Sequence, residues 1–141
     1  CFAGAEADFD ALVMESLYPN LARAFDCRVG QVFPEWFRYF RRGVIWFIEH
    51  RLRLRIEEVA PLSHISRLSP RPVLLLTGSE DPYAPAESLD EFASAHGGAE
   101  HAVIFGASHY DLFDVGGQIY QDLLHSFLDA HLCPVHLAPV A

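Results

Sequence analysis

The stretch Arg71-Pro72-Val73-Leu74-Leu75-Leu76-Thr77-Gly78-Ser79-Glu80-Asp81-Pro82-Tyr83-Ala84-Pro85 decides the fold. Val73 to Thr77 form an uncharged, mostly apolar run, bracketed by prolines on one side and a Gly-Ser-Glu-Asp-Pro turn on the other. That pattern describes a short strand buried on both faces, as in parallel sheets covered by helices. The segments around it agree. DFDALVME from Asp8 to Glu15 reads as a first strand, and His101 to Phe105 as a third, ending in Gly106-Ala107-Ser108-His109. Pro85 opens a helix from about Ala86 to Ala95 that stops at Gly97-Gly98. Ile119, Leu123, Leu124, Phe127 and Leu128 repeat at helical spacing between Gly117 and Leu132, with Pro134 as the stop. Strands alternating with helices imply an α/β architecture: a parallel sheet with flanking helices and right-handed crossovers. Ligands in such sheets sit beyond the carboxyl ends of the strands.

Between the first two strands the chain turns all-helical. A short helix is expected from Asn20 to Gly30, ended by Gly30, and a longer one from Pro34 to about Arg55. Pro61, Pro70 and Pro72 punctuate a connector that contains a helical turn from Ser63 to Leu68. All ten basic residues are arginines, lying between Arg23 and Arg71, while residues 72–141 carry ten acidic residues and no basic ones. Arg38, Arg41, Arg42, Arg51, Arg53 and Arg55 interleave with Trp36, Phe37, Tyr39, Phe40, Trp46 and Phe47. This composition fits a helix resting on a partner or a membrane surface. It fits equally a core-facing helix whose arginines snorkel to water.

A chain of 141 residues with 51% hydrophobic content suits one compact domain. Its formal charge of -9 disfavours nucleic acid and anionic lipid as general partners. Cys1, Cys27 and Cys133 form neither a disulfide framework nor a zinc-ligand spacing, which favours a reducing, cytoplasmic setting. No run approaches the roughly 20 apolar residues of a membrane span. A chain that opens on Cys1 within an apolar stretch implies that something once preceded it, and any targeting peptide would have gone with it.

The chemistry-bearing pattern is an acid at one strand end, Asp81, and a histidine at the next, His109. A carboxylate bonded to one imidazole nitrogen fixes the tautomer, so the other nitrogen can take a proton from a hydroxyl and return it to a leaving group. Glu80 is the competing acid, although the position after Gly78 favours Asp81. Ser79 and Ser108 lie in the acid and base loops rather than on a nucleophile turn. Asp111 and Asp114 either tune His109 or face solvent. His131-Leu132-Cys133-Pro134-Val135-His136 offers three ligand types without a fourth, so no metal site is expected. His50, His64, His96, His101 and His125 are scattered singly and read as surface or capping residues.

With these residues quoted, the chain resembles the α/β-hydrolases. Residues 71–85 resemble the strand and acid loop of that family, Phe105 to His109 its last strand and histidine loop, and Phe127-Leu128-Asp129-Ala130-His131-Leu132 its terminal helix. Ala11-Leu12-Val13-Met14-Glu15-Ser16 is similar to the strand that follows the nucleophile helix. The resemblance implies a partial α/β-hydrolase domain over 1–141, comprising its C-terminal portion. Residues 17–62 would be an α-helical lid insertion, and residues 71–132 would carry the acid and histidine loops and the terminal helix. It assigns Asp81 as triad acid and His109 as general base, with no cofactor. Trp36, Phe37, Phe40, Trp46 and Tyr83 are candidates to line an apolar substrate pocket, or simply to pack the lid onto the body.

The family's G-x-S-x-G elbow does not occur in these 141 residues. Cys1 lies too near the strand at Leu12 to replace it, so nucleophile and oxyanion donors are expected upstream. The strand at Leu12 would then expose an unpaired edge and favour dimerisation. The expected activity of a complete protein is serine-dependent hydrolysis of a small ester or amide. A hydrolase of the same fold with an Asp nucleophile would differ only at the elbow. The alternative is a non-catalytic hydrolase-like domain that binds a partner or membrane surface through its aromatic, arginine-rich helices.

Overall fold

The computed structural model describes residues 8–132. Its sheet has three parallel strands in the order β1-β2-β3: β1 is Leu12–Glu15, β2 is Val73–Gly78 and β3 is Glu100–Ile104. Leu12 pairs with Val73, and Leu74 with Glu100. Every residue of β2 is buried, the property its apolar run predicts. Side chains alternate across a strand, so Val73 and Leu75 face one layer and Leu74 and Leu76 the other. The first layer adds Ile65, Leu68, Leu89 and Phe92; the second adds Ile104, Ala107, Leu112 and Phe127.

Helices supply those layers. α1 spans Leu21–Val32, α2 Arg41–Leu52, α3 Pro61–His64, α4 Glu87–His96 and α5 Leu112–Leu132. α4 brings Leu89 and Phe92 to one face of the sheet, and α5 brings Phe127 to the other. The Tyr120 hydroxyl at mid-α5 donates to the Glu15 carboxylate at the end of β1. That bond, helped by burial, pushes the Tyr120 pKa up to about 12.

Several boundaries differ from expectation for local reasons. The first strand is only Leu12–Glu15. α1 starts after Asn20, whose side chain accepts the Arg23 N–H at 2.8 Å, and it runs through Gly30 to Val32. Phe33 ends it in extended conformation, the conformation that a following Pro34 imposes. The single helix expected from Pro34 to Arg55 is two pieces, a 3-10 helix over Glu35–Phe40 followed by α2. The 3-10 form eclipses residues three apart and so sets Phe37 against Phe40, with ring centroids 5.8 Å apart. α2 ends at Arg53 in the left-handed region (φ 55°), where the Glu49 side chain accepts the Ile56 N–H at 3.0 Å. The terminal helix begins five residues early, at Leu112, and breaks at Gly117, whose φ of 48° and ψ of -120° suit glycine alone.

The excursion between β1 and the connector closes on itself. The Leu62 N–H donates to the Pro19 carbonyl at 3.2 Å, which joins its two ends. Arg23 of α1 pairs with Glu91 of α4 at 2.8 Å, and Arg41 pairs with Asp26. Among the described residues no helix is long and apolar enough to cross a membrane.

His96 closes α4 as a residue only 5% exposed, and its ring nitrogens make no hydrogen bond of full geometry. Burial therefore lowers its pKa below the ordinary 6.5, with the nearby Arg71 backbone offsetting part of the effect. A group held neutral in this way gives its full stability above pH 6.5 and loses it as the pH falls below 6.5 toward the folded value. Thermal melts stepped from about pH 7.5 to about pH 5.5 should show a falling Tm whose slope is shallower in His96→Leu. Equal slopes would remove His96 from the linkage.

Candidate active site

The site is built where the loops after β2 and β3 meet. A Cβ on Gly78 would stand 2.0 Å from the Ala107 carbonyl oxygen and 2.5 Å from its carbon, so only glycine admits this approach. The loops are then fastened together. The Ser79 N–H donates to the Ile104 carbonyl at 3.0 Å and the Glu80 N–H to the Ala107 carbonyl at 2.9 Å. The Gly106 N–H donates to Ser79 Oγ at 2.8 Å. Thr77 Oγ1, buried inside β2, donates to the Ala84 carbonyl at 2.8 Å and folds the rest of the acid loop back onto the strand.

Asp81 sits inside this fastening with a side chain 0% exposed. Its Oδ1 accepts the Tyr83 and Ala84 N–H groups at 2.8 and 2.9 Å. His109 Nδ1 lies 2.9 Å from Oδ2 and 3.2 Å from Oδ1. Burial is the largest single influence on this carboxyl and pushes its pKa up. The Ala84 N–H, the Ser16 hydroxyl, the Tyr83 N–H and His109 together outweigh it and hold the group below the ordinary 3.8. At neutral pH the site therefore contains a buried, ionised acceptor facing an imidazole.

The ring of His109 is held edge-on by two tyrosines. Tyr83 and Tyr110 meet it at centroid distances of 5.0 and 4.9 Å, with planes 85° and 88° to its own. Behind it, Asp111 Oδ1 accepts the Ser108 N–H at 2.6 Å and the Ser108 hydroxyl at 2.9 Å, anchoring the histidine loop to the start of α5. An Nδ1–H donated to Asp81 leaves Nε2 as the basic nitrogen, on a side chain 25% exposed. This arrangement can accept a proton from a hydroxyl and deliver it again.

The other candidates fall in different places. Tyr83 belongs to the site. Trp36, Phe37 and Phe40 form an aromatic cluster on the 3-10 segment, and Trp46 stacks on His50 at 5.3 Å in α2. Trp36, Phe40 and Trp46 are more than half exposed, and α2 contributes no buried residue. Glu80 is exposed and lends its backbone N–H, and Asp114 is exposed. Ser79 and Ser108 act as loop fasteners. His131 lies 2.9 Å from Glu100, and among the described residues no side-chain cluster could hold a metal ion. Cys1, Cys133 and His136 lie outside the described residues. Sequence reasoning missed Tyr110, which adjoins His109, and Ser16, at the end of β1; neither stands in a recognisable motif.

No protein-family model matches the chain. Over 71 residues, 50% of its length, it is 38% identical to an uncharacterised protein of Pseudomonas aeruginosa, of which it covers 19%. In structure, 94% of the chain matches 49% of a Pyrococcus furiosus esterase, with a TM-score of 0.67 and 16% identity. It also matches a puromycin-hydrolyzing peptidase of Mycobacterium tuberculosis (TM-score 0.60, 23% identity, 92% of this chain and 20% of that one). An acylaminoacyl peptidase of Pyrococcus horikoshii gives a TM-score of 0.59 at 14% identity, over 91% of this chain and 21% of that one. The chain thus has the α/β-hydrolase fold. It comprises three parallel strands and flanking helices from the C-terminal portion of that fold, and spans half or less of the length of these proteins.

Replacing Gly78 by Ala should cost roughly 2 kcal/mol or more, because backbone atoms rather than a flexible side chain must yield. Ser79→Ala, which loses one acceptor, should cost about 1 kcal/mol. Urea denaturation measures both, and a wild-type midpoint for Gly78→Ala would contradict the close approach.

Proposed function

We propose that this chain supplies the acid and the base of a Ser-His-Asp triad, within a longer hydrolase whose serine elbow and oxyanion hole lie upstream. In that reading His109 Nε2 takes the proton of the serine hydroxyl as it attacks an ester or amide carbonyl, then returns it to the leaving group. Asp81 holds the imidazole in the productive tautomer and stabilises the imidazolium. In the second half-reaction His109 activates water against the acyl-enzyme. The observation that carries the reading is the 2.9 Å contact between His109 Nδ1 and the fully buried Asp81 carboxylate, across adjacent carboxyl ends of β2 and β3. The esterase and peptidases of like fold support the reaction class.

The helical excursion between β1 and α3 is the proposed lid. Its exposed aromatic residues Trp36, Phe40 and Trp46, with Phe37 and with Tyr83 at the site, are the proposed contacts for the apolar part of the substrate. The same exposure favours one second reading, in which these aromatic and arginine side chains bind a partner and the domain is not catalytic.

The experiment is turnover of p-nitrophenyl esters and aminoacyl p-nitroanilides by the complete protein encoded around this chain. His109→Ala should lower kcat/KM by at least about 10,000-fold, and Asp81→Asn, which favours the wrong tautomer, by about 1,000- to 10,000-fold. Activity that survives His109→Ala would overturn the triad. Replacing Trp36 and Trp46 by Ala should raise KM for long acyl chains more than for acetyl esters. Equal effects would move the aromatic residues out of the substrate site.

A further inference from the structure

Ser16 is the residue immediately after β1, where its N–H donates to the Leu76 carbonyl at 2.8 Å and so keeps it beside the carboxyl end of β2. Two features set it apart. Its backbone is left-handed, with φ at 49°, one of two non-glycine residues with positive φ among those described. An L-residue held there is strained, and such strain gathers at functional sites. Its hydroxyl oxygen is also buried without a hydrogen bond of full geometry, which is costly when nothing compensates.

The fold sets Ser16 at the carboxyl end of β1, paired alongside the carboxyl end of β2 that leads into the Asp81 loop. The Ser16 hydroxyl is also among the groups that favour the ionised form of the Asp81 carboxylate. A carboxylate has about four acceptor positions. Two positions on Oδ1 are filled by the Tyr83 and Ala84 N–H groups, whereas Oδ2 has His109 Nδ1 at 2.9 Å as its close donor. The strained backbone, the buried oxygen and the vacant acceptor position are thus one arrangement.

We propose that Ser16 is a positioning residue for the acid–base pair, its hydroxyl donating to the Asp81 carboxylate from the end of β1 and fixing the plane in which the carboxylate meets His109. It touches neither substrate nor reacting atoms and works through Asp81. The proposal rests on the triad reading for its catalytic consequence, though not for its structural one. It links three successive strand ends into one site: β1 through Ser16, β2 through Asp81 and β3 through His109.

The test uses the complete protein and two variants that both tolerate a left-handed backbone, Ser16→Gly and Ser16→Asn. Glycine relieves the strain and removes the donor, while asparagine keeps a donor. In Ser16→Gly, kcat should fall about ten-fold with KM within about two-fold of wild type, and Ser16→Asn should recover most of the loss. Carboxyl-carbon NMR should show the Asp81 titration midpoint higher in Ser16→Gly than in wild type, and the downfield Nδ1 proton of His109 weakened. Ser16→Asn should restore both signals. An unchanged Asp81 midpoint and His109 proton in a folded Ser16→Gly protein would overturn the proposal. The NMR signals do not depend on turnover, so activity surviving His109→Ala would sink the triad while leaving the Ser16 contact decided on its own.

Discussion

The backbone of Gly78 against the carbonyl of Ala107 is the contact on which the site depends. It sets the separation of two loops that belong to adjacent strands, and that separation fixes the distance between acid and imidazole. Hydrogen bonds through Ser79, Glu80 and Gly106 then make the spacing rigid. Positions held by backbone and by short side chains vary little with temperature or rotamer, which is what a pair needs when its function depends on alignment within a fraction of an ångström. The buried cores on either side of β2 support this arrangement from below, because a strand buried on both faces cannot tilt without disturbing both layers.

Electrostatics complete what packing begins. A carboxylate removed from water is costly unless hydrogen bonds replace the lost solvation. Asp81 obtains them from its own loop, from the end of β1 and from His109, so the charge survives burial. Tyr83 and Tyr110 add shape rather than charge, restricting rotation of a histidine ring whose side chain stays partly exposed.

How much of this was legible in sequence follows from range. The apolar run Val73 to Thr77 identified β2, and the alternation of strands and helices put Asp81 and His109 at strand ends, because both signals are local in the chain. The aromatic segment after Pro34 misled. Aromatic residues three and four apart suit an α-helix and a 3-10 helix alike, and the packing of Phe37 against Phe40 that accompanies the 3-10 form is not written in their spacing. Ser79 read as a loop serine of no account because its partner, Gly106, is 27 residues away. Ser16 was invisible for the same reason: a serine after a glutamate has no signature until β1 is laid beside β2. The start of α1 at Asn20 was legible because that residue is itself the cap, whereas α2, expected to reach Arg55, ends at Leu52, where Glu49 takes the Ile56 N–H from seven residues back.

The bond from Leu62 to Pro19 acts as a drawstring at the mouth of the helical excursion. Whatever lies between those residues leaves and re-enters the sheet at one fixed point, so its length and composition can change without altering the register of β1 on β2. A change of length or composition inside the excursion therefore leaves the loops that hold Asp81 against His109 anchored by their own hydrogen bonds.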